Sequence, residues 1–335
     1  MNYKIKIQPS NMEFSVSDNE SILQSAINSN VYLEHSCING NCGSCKVKII
    51  KGTVNTLKSN GLSESEIEEG YVLACCAKAT SDLELIANYY PELSTVKRMI
   101  QPCKVAELDF PANDVAILKL KLPPTANFKF LAGQFIDLMI KGDKRSYSIA
   151  NIAETYNGIE LHIRKVNNGL FSDYIFNELK LNQLLRIDGP IGSFFVRDGN
   201  APIIFLAGGT GFAPIKAMVE KLITNKVNRK IYIYWGVSKV AGFYSEVADG
   251  WQSQYSNIIY TPVLSGDEVY SGKKGLVHQA VLNDFSDLSK YEVYACGSSM
   301  MIDAARNDFV TNGLNPENFY SDAFVASEKV LSKVS

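Results

Sequence analysis

The stretch Glu34-His-Ser-Cys37-Ile-Asn-Gly-Asn-Cys42-Gly-Ser-Cys45 places three cysteines at C-x4-C-x2-C spacing, and Cys75 follows after 29 intervening residues within GYVLACCAKATSDLEL. This spacing is the pattern of a 2Fe–2S cluster. Ferric iron takes soft thiolate ligands, and three of them must wrap one face of a compact inorganic core. Only a tight loop of small or φ-positive residues can do so, and Gly40, Asn41, Gly43 and Ser44 are of that kind. A zinc site would favour paired short spacings or admixed histidine, and only His35 lies nearby. A disulfide knot or a set of scattered core cysteines would leave the spacing unexplained. Cys76 adjoins Cys75; the distance from Cys45 favours Cys75 as the fourth ligand and Cys76 as a bystander.

Outward from this loop, 335 residues with 46% hydrophobic and 20% charged content fit two or three globular modules. A net charge of −2 supports neither a nucleic-acid nor an anionic-membrane partner. The opening MNYKIKIQPS lacks an apolar leader segment, and no run reaches membrane-spanning length. Seven cysteines, four of them reserved as thiolates, suit a reducing compartment, so a cytoplasmic location is expected.

Three patterns succeed one another. Residues 1–93 mix strand and helix signals: YKIKI and EFSVS alternate around Pro-Ser-Asn as a hairpin, DNESILQSAINSN reads as a capped helix, and SESEIEEG as a short acidic one. A linker, NYYPELSTVKRMIQP, leads to residues 98–198, where CKVAELDF, VAILKLKLP, QFIDLMI, RSYSIAN and IELHIRKV are strand-length runs of a small antiparallel barrel. From 199 to 330, buried strands (PIIFLAGG, KIYIYWGV, NIIYTPVLS, EVYACG) alternate with helices such as FAPIKAMVEKLIT, implying a parallel sheet covered by helices.

Arg145-Ser146-Tyr147-Ser148 could offer a flavin an aromatic ring, a hydroxyl and a cation from one strand, although alone it equally fits surface packing. Downstream, His162 ends another strand, and Gly169-Leu-Phe-Ser172 opens a helix suited to a pyrophosphate or to simple capping. Ala207-Gly208-Gly209-Thr210-Gly211-Phe-Ala-Pro214 joins a buried strand to a helix and reads as a nucleotide-binding turn, without the G-x-G-x-x-G fingerprint or a Walker lysine. Cys296-Gly297 ends a parallel strand, where α/β sheets bind ligands, and Phe319–Phe324 is an aromatic run that could cover a flavin or fill a core. No hydrolase triad or metalloprotease helix can be assembled.

In the order cluster, flavin, nucleotide, the chain resembles a plant-type ferredoxin fused to a ferredoxin–NADP reductase-like module. RSYS resembles that superfamily's flavin motif, GGTGFAP its dinucleotide loop and CGSSMM its nicotinamide-side motif. NYYPELS, LPPTA, RSYSIAN, FNELKLNQLLRIDGP, HQAVL, YACGS and SDAFV are closer still to the CDP-6-deoxy-Δ3,4-glucoseen reductases of 3,6-dideoxyhexose biosynthesis. The resemblance implies a β-grasp 2Fe–2S domain, an antiparallel β-barrel FAD domain and a parallel α/β NAD-binding domain. It implies that Cys37, Cys42, Cys45 and Cys75 ligate the cluster, and that Arg145, Ser146, Tyr147, Ser148 and His162 contact FAD, with Gly169 and Ser172 at its pyrophosphate. Gly208, Gly209, Thr210 and Gly211 would line the NADH pyrophosphate, Cys296 and Gly297 the nicotinamide, and Asp322 and Phe324 would close the flavin site. Ser148, Cys296 and Phe324 become the candidates nearest the reacting centre. The tail after Phe324 fits no motif.

The activity so implied is passage of electrons from NADH through FAD and the cluster to an iron–sulfur acceptor protein. By resemblance that acceptor is a pyridoxamine-phosphate-dependent dehydrase, for C-3 deoxygenation of a CDP-4-keto-6-deoxyhexose. NADH is favoured over NADPH because Lys239 is the only cation near the turn after KIYIYWG. A competing reading is the reductase of an aromatic-ring dioxygenase or phenol hydroxylase.

Overall fold

The structure is a computed structural model describing residues 2–266 and 268–324. The end of the third stretch, at 330, lies outside the described residues.

The first sheet is built from β1 (Asn2–Gln8) and β2 (Met12–Ser17), then α1 (Ile22–Asn28), β3 (Lys46–Lys51), β4 (Val54–Thr56), α2 (Glu64–Glu68), β5 (Tyr71–Leu73), β6 (Ala77–Ala79) and β7 (Leu83–Ile86). Its order is β2-β1-β7-β3-β5, with β1 and β7 parallel and the other pairs antiparallel, while β4 and β6 form a separate ribbon. This is the β-grasp. The hairpin pairs Ile5 with Phe14, so that Ile5, Ile7, Phe14 and Val16 all face inward by the two-residue period of strands. Ile22, Leu23 and Ala26 of α1 cover them, and Ser21 caps that helix by accepting from the Gln24 amide. The acidic α2 is held by a full capping box between Ser63 and Glu66.

The second sheet contains β8 (Met99–Ala112), β9 (Val115–Lys121), β10 (Phe135–Ile140), β11 (Asp143–Ser148), β12 (Gly158–Arg164) and β13 (Leu184–Ile191), with α3 (Leu170–Asn177) between the last two. All pairs are antiparallel in the order β11-β10-β13-β8-β9-β12, and a bridge from Ile149 to Leu161 brings the two edges together. Closure hides Val105, Leu118, Leu120, Ile136, Leu138, Ile159, Leu161 and Ile187 completely. The sequence reading omits β13, although it lies between β10 and β8. Its exposed positions carry Leu184 and Arg186 and it runs into Gly189-Pro190, so polar alternation and a turn signal conceal it.

The third sheet is wholly parallel: β14 (Ile203–Gly208), β15 (Ile231–Val237), β16 (Ile258–Leu264), β17 (Lys273–Lys274), β18 (Glu292–Ser298) and β19 (Phe319–Phe324), in the order β17-β16-β15-β14-β18-β19. The helices α4 (Phe212–Thr224), α5 (Val247–Gln254), α6 (Val277–Asp284) and α7 (Ser299–Thr311) lie between strands in sequence. The strand order reverses between β14 and β18, and the crevice beyond such a switch point is where open α/β sheets bind ligands.

The stretch 88–102 is packed rather than loose. It forms a 3-10 turn over Pro91–Thr95, and Leu93 and Val96 are buried with Phe195. Among the described residues no helix is long and apolar enough to cross a membrane.

Candidate functional site

The loop between α1 and β3 turns through positive φ at Ile38, Gly40 and Gly43. Asn41 and Ser44 need no such conformation; a β-branched residue, Ile38, adopts it instead, which is costly in isolation. A side chain at Gly40 would begin 2.6 Å from Cys76 Sγ, and one at Gly43 would begin 2.8 Å from the Gly61 carbonyl. Cys76, expected to be a bystander, packs against Gly40, with its thiol 3.6 Å from that of Cys75.

The four predicted ligands associate in twos. Cys42 Sγ accepts from the Cys37 amide at 3.5 Å, and contact with Cys42 draws the Cys37 thiol down to about 6 while that of Cys42 is driven up. The Cys45 thiol likewise raises that of Cys75. Among the described residues no three such side chains converge on a single metal ion. Four cysteine thiols at this spacing suit a core of two irons. The donor set fits a 2Fe–2S cluster.

On β11, alternation sends Arg145 and Tyr147 to one face and Ser146 and Ser148 to the other. The Tyr147 ring lies 6.0 Å from Phe171, and the Arg145 guanidinium lies 5.9 Å from the same ring. Burial pushes the Tyr147 phenol up. Ser148 is buried, and its hydroxyl has no hydrogen-bond partner among the described residues. At the end of β11 the Tyr147 ring leaves from one face and the Ser148 hydroxyl from the other, and each is a group that a flavin can use.

Three other predicted flavin contacts are already engaged within the protein. Ser146 donates to Asp137 at 2.6 Å. Ser172 donates to the carbonyls of Val166 and Gly169 and accepts from the Val166 amide, so it shapes the turn before α3. The wholly buried His162 uses Nδ1 on the Tyr244 hydroxyl (2.9 Å) and Nε2 on Glu160 (3.0 Å), leaving no ring nitrogen for a cofactor. Gly169, at the start of α3, has no room for a side chain beside Ser172.

At the switch point the glycines bring backbones together. A side chain on Gly211 would meet the Cys296 carbonyl at 2.1 Å, and one on Gly297 would lie 3.2 Å from Gly208 Cα. Gly208 would strike Met301, and Gly209, at φ +54, would strike the Arg164 guanidinium. Trp235 Nε1 donates to the Gly209 carbonyl at 2.8 Å, and its ring stacks on Phe212 at 4.0 Å. Thr210 is buried within the turn. The loop between β14 and α4 is thus closed to side chains, with Thr210 and Gly211 buried and Gly208 and Gly209 half-buried at the start of a helix.

Register aligns Ala207, Cys296 and Asp322 across β14, β18 and β19. Burial holds the Cys296 thiol protonated, well above its ordinary range. Asp322 is buried beside it and pushed up to about 7, chiefly by burial. Phe324 ends the described chain half exposed. Asp322 accepts from Ser36, the neighbour of Cys37, at 2.5 Å. The cluster loop and the end of β19 therefore touch.

Sequence reasoning missed Ser36, Ser193, Arg164, Trp235 and Tyr244. Ser36 stands beside a ligand cysteine, which was its only signal. A cavity of about 500 Å³ lies elsewhere, between Phe128, Phe130, Phe195 and Met218, and none of the predicted site residues lines it.

Three family matches follow the same order: a 2Fe-2S iron-sulfur cluster binding domain over 5–80, an oxidoreductase FAD-binding domain over 102–196 and an oxidoreductase NAD-binding domain over 205–307. The chain is 53% identical to the CDP-6-deoxy-L-threo-D-glycero-4-hexulose-3-dehydrase reductase of Yersinia pseudotuberculosis, across 98% of this chain and 100% of that protein. It belongs to that reductase family. It is 32% identical to the terephthalate 1,2-dioxygenase reductase component 1 of Comamonas sp., across 98% of both chains. The ferredoxin reductase of carbazole 1,9a-dioxygenase shares the fold, with a TM-score of 0.70, 24% identity and coverage of 97% and 99%. The chain is an NADH-dependent oxidoreductase with 2Fe–2S, FAD and NAD domains.

Proposed function

We propose that this chain supplies electrons from NADH to the pyridoxamine-phosphate-dependent dehydrase that removes the C-3 oxygen of a CDP-4-keto-6-deoxyhexose. The observation that carries this reading is the contact of the cluster loop with β19, beside the nucleotide crevice, through Ser36 and Asp322, in a chain 53% identical over 98% of its length to a reductase named for that dehydrase. The reductase of an aromatic-ring dioxygenase is supported only at 32% identity.

When bound, FAD accepts a hydride from NADH and releases the electrons singly, and the cluster takes one at a time. The chain's own groups hold and order these partners. Cys37 with Cys42, and Cys45 with Cys75, supply thiolates. Tyr147 offers its ring to the flavin, Arg145 its charge and Ser148 its hydroxyl. The amides of Gly209–Gly211 receive the dinucleotide phosphates, and Cys296 and Gly297 bound the nicotinamide. Asp322 and Phe324 close the flavin side. Beyond β15, the Glu268 carboxylate accepts from the Val240 amide at 2.6 Å, and a fixed anion beside Lys239 disfavours a 2′-phosphate. Thiolates that must stay reduced accord with a cytoplasmic location.

Anaerobic titration with NADH, followed by visible absorption and low-temperature EPR, tests the electron path. Flavin and cluster bands bleach together with a reduced 2Fe–2S signal; absence of any response to NADH defeats the reading. Turnover of the CDP-sugar by purified dehydrase, dependent on this protein, tests the partner. Brisk oxygen uptake with an aromatic oxygenase and none with the dehydrase would favour the oxygenase reading.

A further inference from the structure

The cluster loop is pinned to the reductase by two serines, neither of which ligates iron. Ser193, in the turn after β13, turns its hydroxyl and its amide to one residue, while its carbonyl accepts from Arg197 Nη2 at 2.9 Å. Its hydroxyl accepts from the His35 amide at 2.8 Å and donates to the His35 carbonyl at 2.9 Å, and its own amide donates to that carbonyl at 2.9 Å. One residue further on, Ser36 donates to Asp322 at 2.5 Å. All four residues are buried. His35 spends its ring Nδ1 on its own module, at the Leu33 carbonyl, so only its backbone faces Ser193.

At the linker end the contact changes character. The Arg197 guanidinium lies 3.8 Å from both the Tyr90 and Phe195 rings and 5.0 Å from Tyr320. Leu93 and Val96 pack beneath it with Phe195. Stacked rings and aliphatic side chains tolerate sliding, because dispersion and burial are weakly directional. Hydrogen bonds do not, since they fail within a few tenths of an ångström and a few tens of degrees. The apolar patch can therefore hold the modules together, whereas among the described residues the Ser36 and Ser193 hydrogen bonds are the directional contacts that set where Cys37 stands relative to β19.

We propose that Ser36 and Ser193 are positioning residues for electron transfer from the flavin side to the cluster, setting the register of the cluster loop against the reductase. This rests on the function proposed above. For each NADH oxidised to NAD⁺ and H⁺, two electrons leave one at a time, each reducing one ferric ion of a cluster to ferrous. Ser193, whose partners His35 and Arg197 lie outside the predicted flavin and nucleotide set, acts on the second leg alone; Ser36 also holds Asp322, so its effect on the flavin phase is read separately.

The test uses the full-length holoprotein and its S36A and S193A variants, each checked for FAD and iron content. Amide hydrogen exchange over residues 33–45 is measured first. Anaerobic rapid mixing with NADH then resolves flavin bleaching from cluster bleaching. Loss of the buried hydroxyl bonds, one in S36A and two in S193A, at roughly 1.4 kcal/mol per tenfold, gives at least about tenfold faster exchange and about tenfold slower cluster bleaching. Flavin bleaching keeps its wild-type rate in S193A, and S36T, which keeps the hydroxyl on Asp322, recovers the cluster phase. Cluster bleaching at the wild-type rate in both variants overturns the assignment, as does equal slowing of both phases in S193A. Should wild-type flavin fail to respond to NADH, the functional reading falls instead. Unchanged exchange in both variants would then refute the pinning by itself, and faster exchange would uphold it.

Discussion

Ser36 Oγ lies 2.5 Å from Asp322 Oδ1, a buried bond between residues 286 positions apart. It joins the residue before the first cluster cysteine to the strand that ends at the predicted flavin site. Burial raises the Asp322 carboxyl from 3.8 to about 7, against the lowering effect of Ser36. The native state therefore binds this proton more tightly than the unfolded chain does. Its contribution to stability is full below about pH 4 and is lost as pH rises through about 7. D322N, which stays neutral, flattens this slope; urea midpoints of both proteins between pH 5 and 8 provide the check.

Glu160 behaves in the opposite sense. Burial would raise its carboxyl, but the His162 hydrogen bond and the Lys216 charge outweigh it and hold it at about 2. Because it lies below the ordinary 4.5, its stabilisation is present above that value and is lost as pH falls towards 2. Lys216 also pairs with Glu220 and donates to the Ala150 carbonyl, so α4 is tied to the barrel through one ammonium. K216M leaves Glu220 without its cation and Glu160 with His162 alone, and costs about 3 kcal/mol, measured by urea unfolding at pH 7.

Gly211→Ala and Gly250→Ala differ in sign. The first puts a methyl group 2.1 Å from the Cys296 carbonyl and forces β14 from β18. It costs about 1–3 kcal/mol and weakens NADH binding, read by thermal melting and by fluorescence titration. Gly250 lies within α5 with open space where its side chain would be. Alanine there stabilises by about 0.5–1 kcal/mol.

Adjacent cysteines should separate cleanly. C75S loses the visible bands of the cluster and most of its iron, because a serine oxygen is a poor substitute for thiolate. C76S keeps both, since Cys76 packs against Gly40 and the cysteine spacing supplies four thiolates without it. Iron per chain and absorption spectra decide it.

Much of the architecture was legible because it is written in local periods. The Ile5/Ile7 and Phe14/Val16 alternation yields the hairpin, and the amphipathic run from Phe212 yields α4. The barrel strand β13 was not legible, since Arg186, Asp188 and Gly189-Pro190 imitate a loop. His162 and Ser172 looked like cofactor ligands by type and position, yet both spend their polar atoms on neighbours that only the fold supplies.

By itself, then, the sequence determined which chemistry the chain can hold. Cysteine spacing, the RSYS strand and the glycine turn are short-range patterns, and local geometry is enough to interpret them. The tertiary structure alone decided how these sites face one another. Ser193 grips His35 across 158 positions and Ser36 reaches Asp322 across 286, and nothing in residue type marks either pair. Contacts of such separation follow from the packing of three modules, in which a buried polar group is satisfied by whatever partner the packing brings.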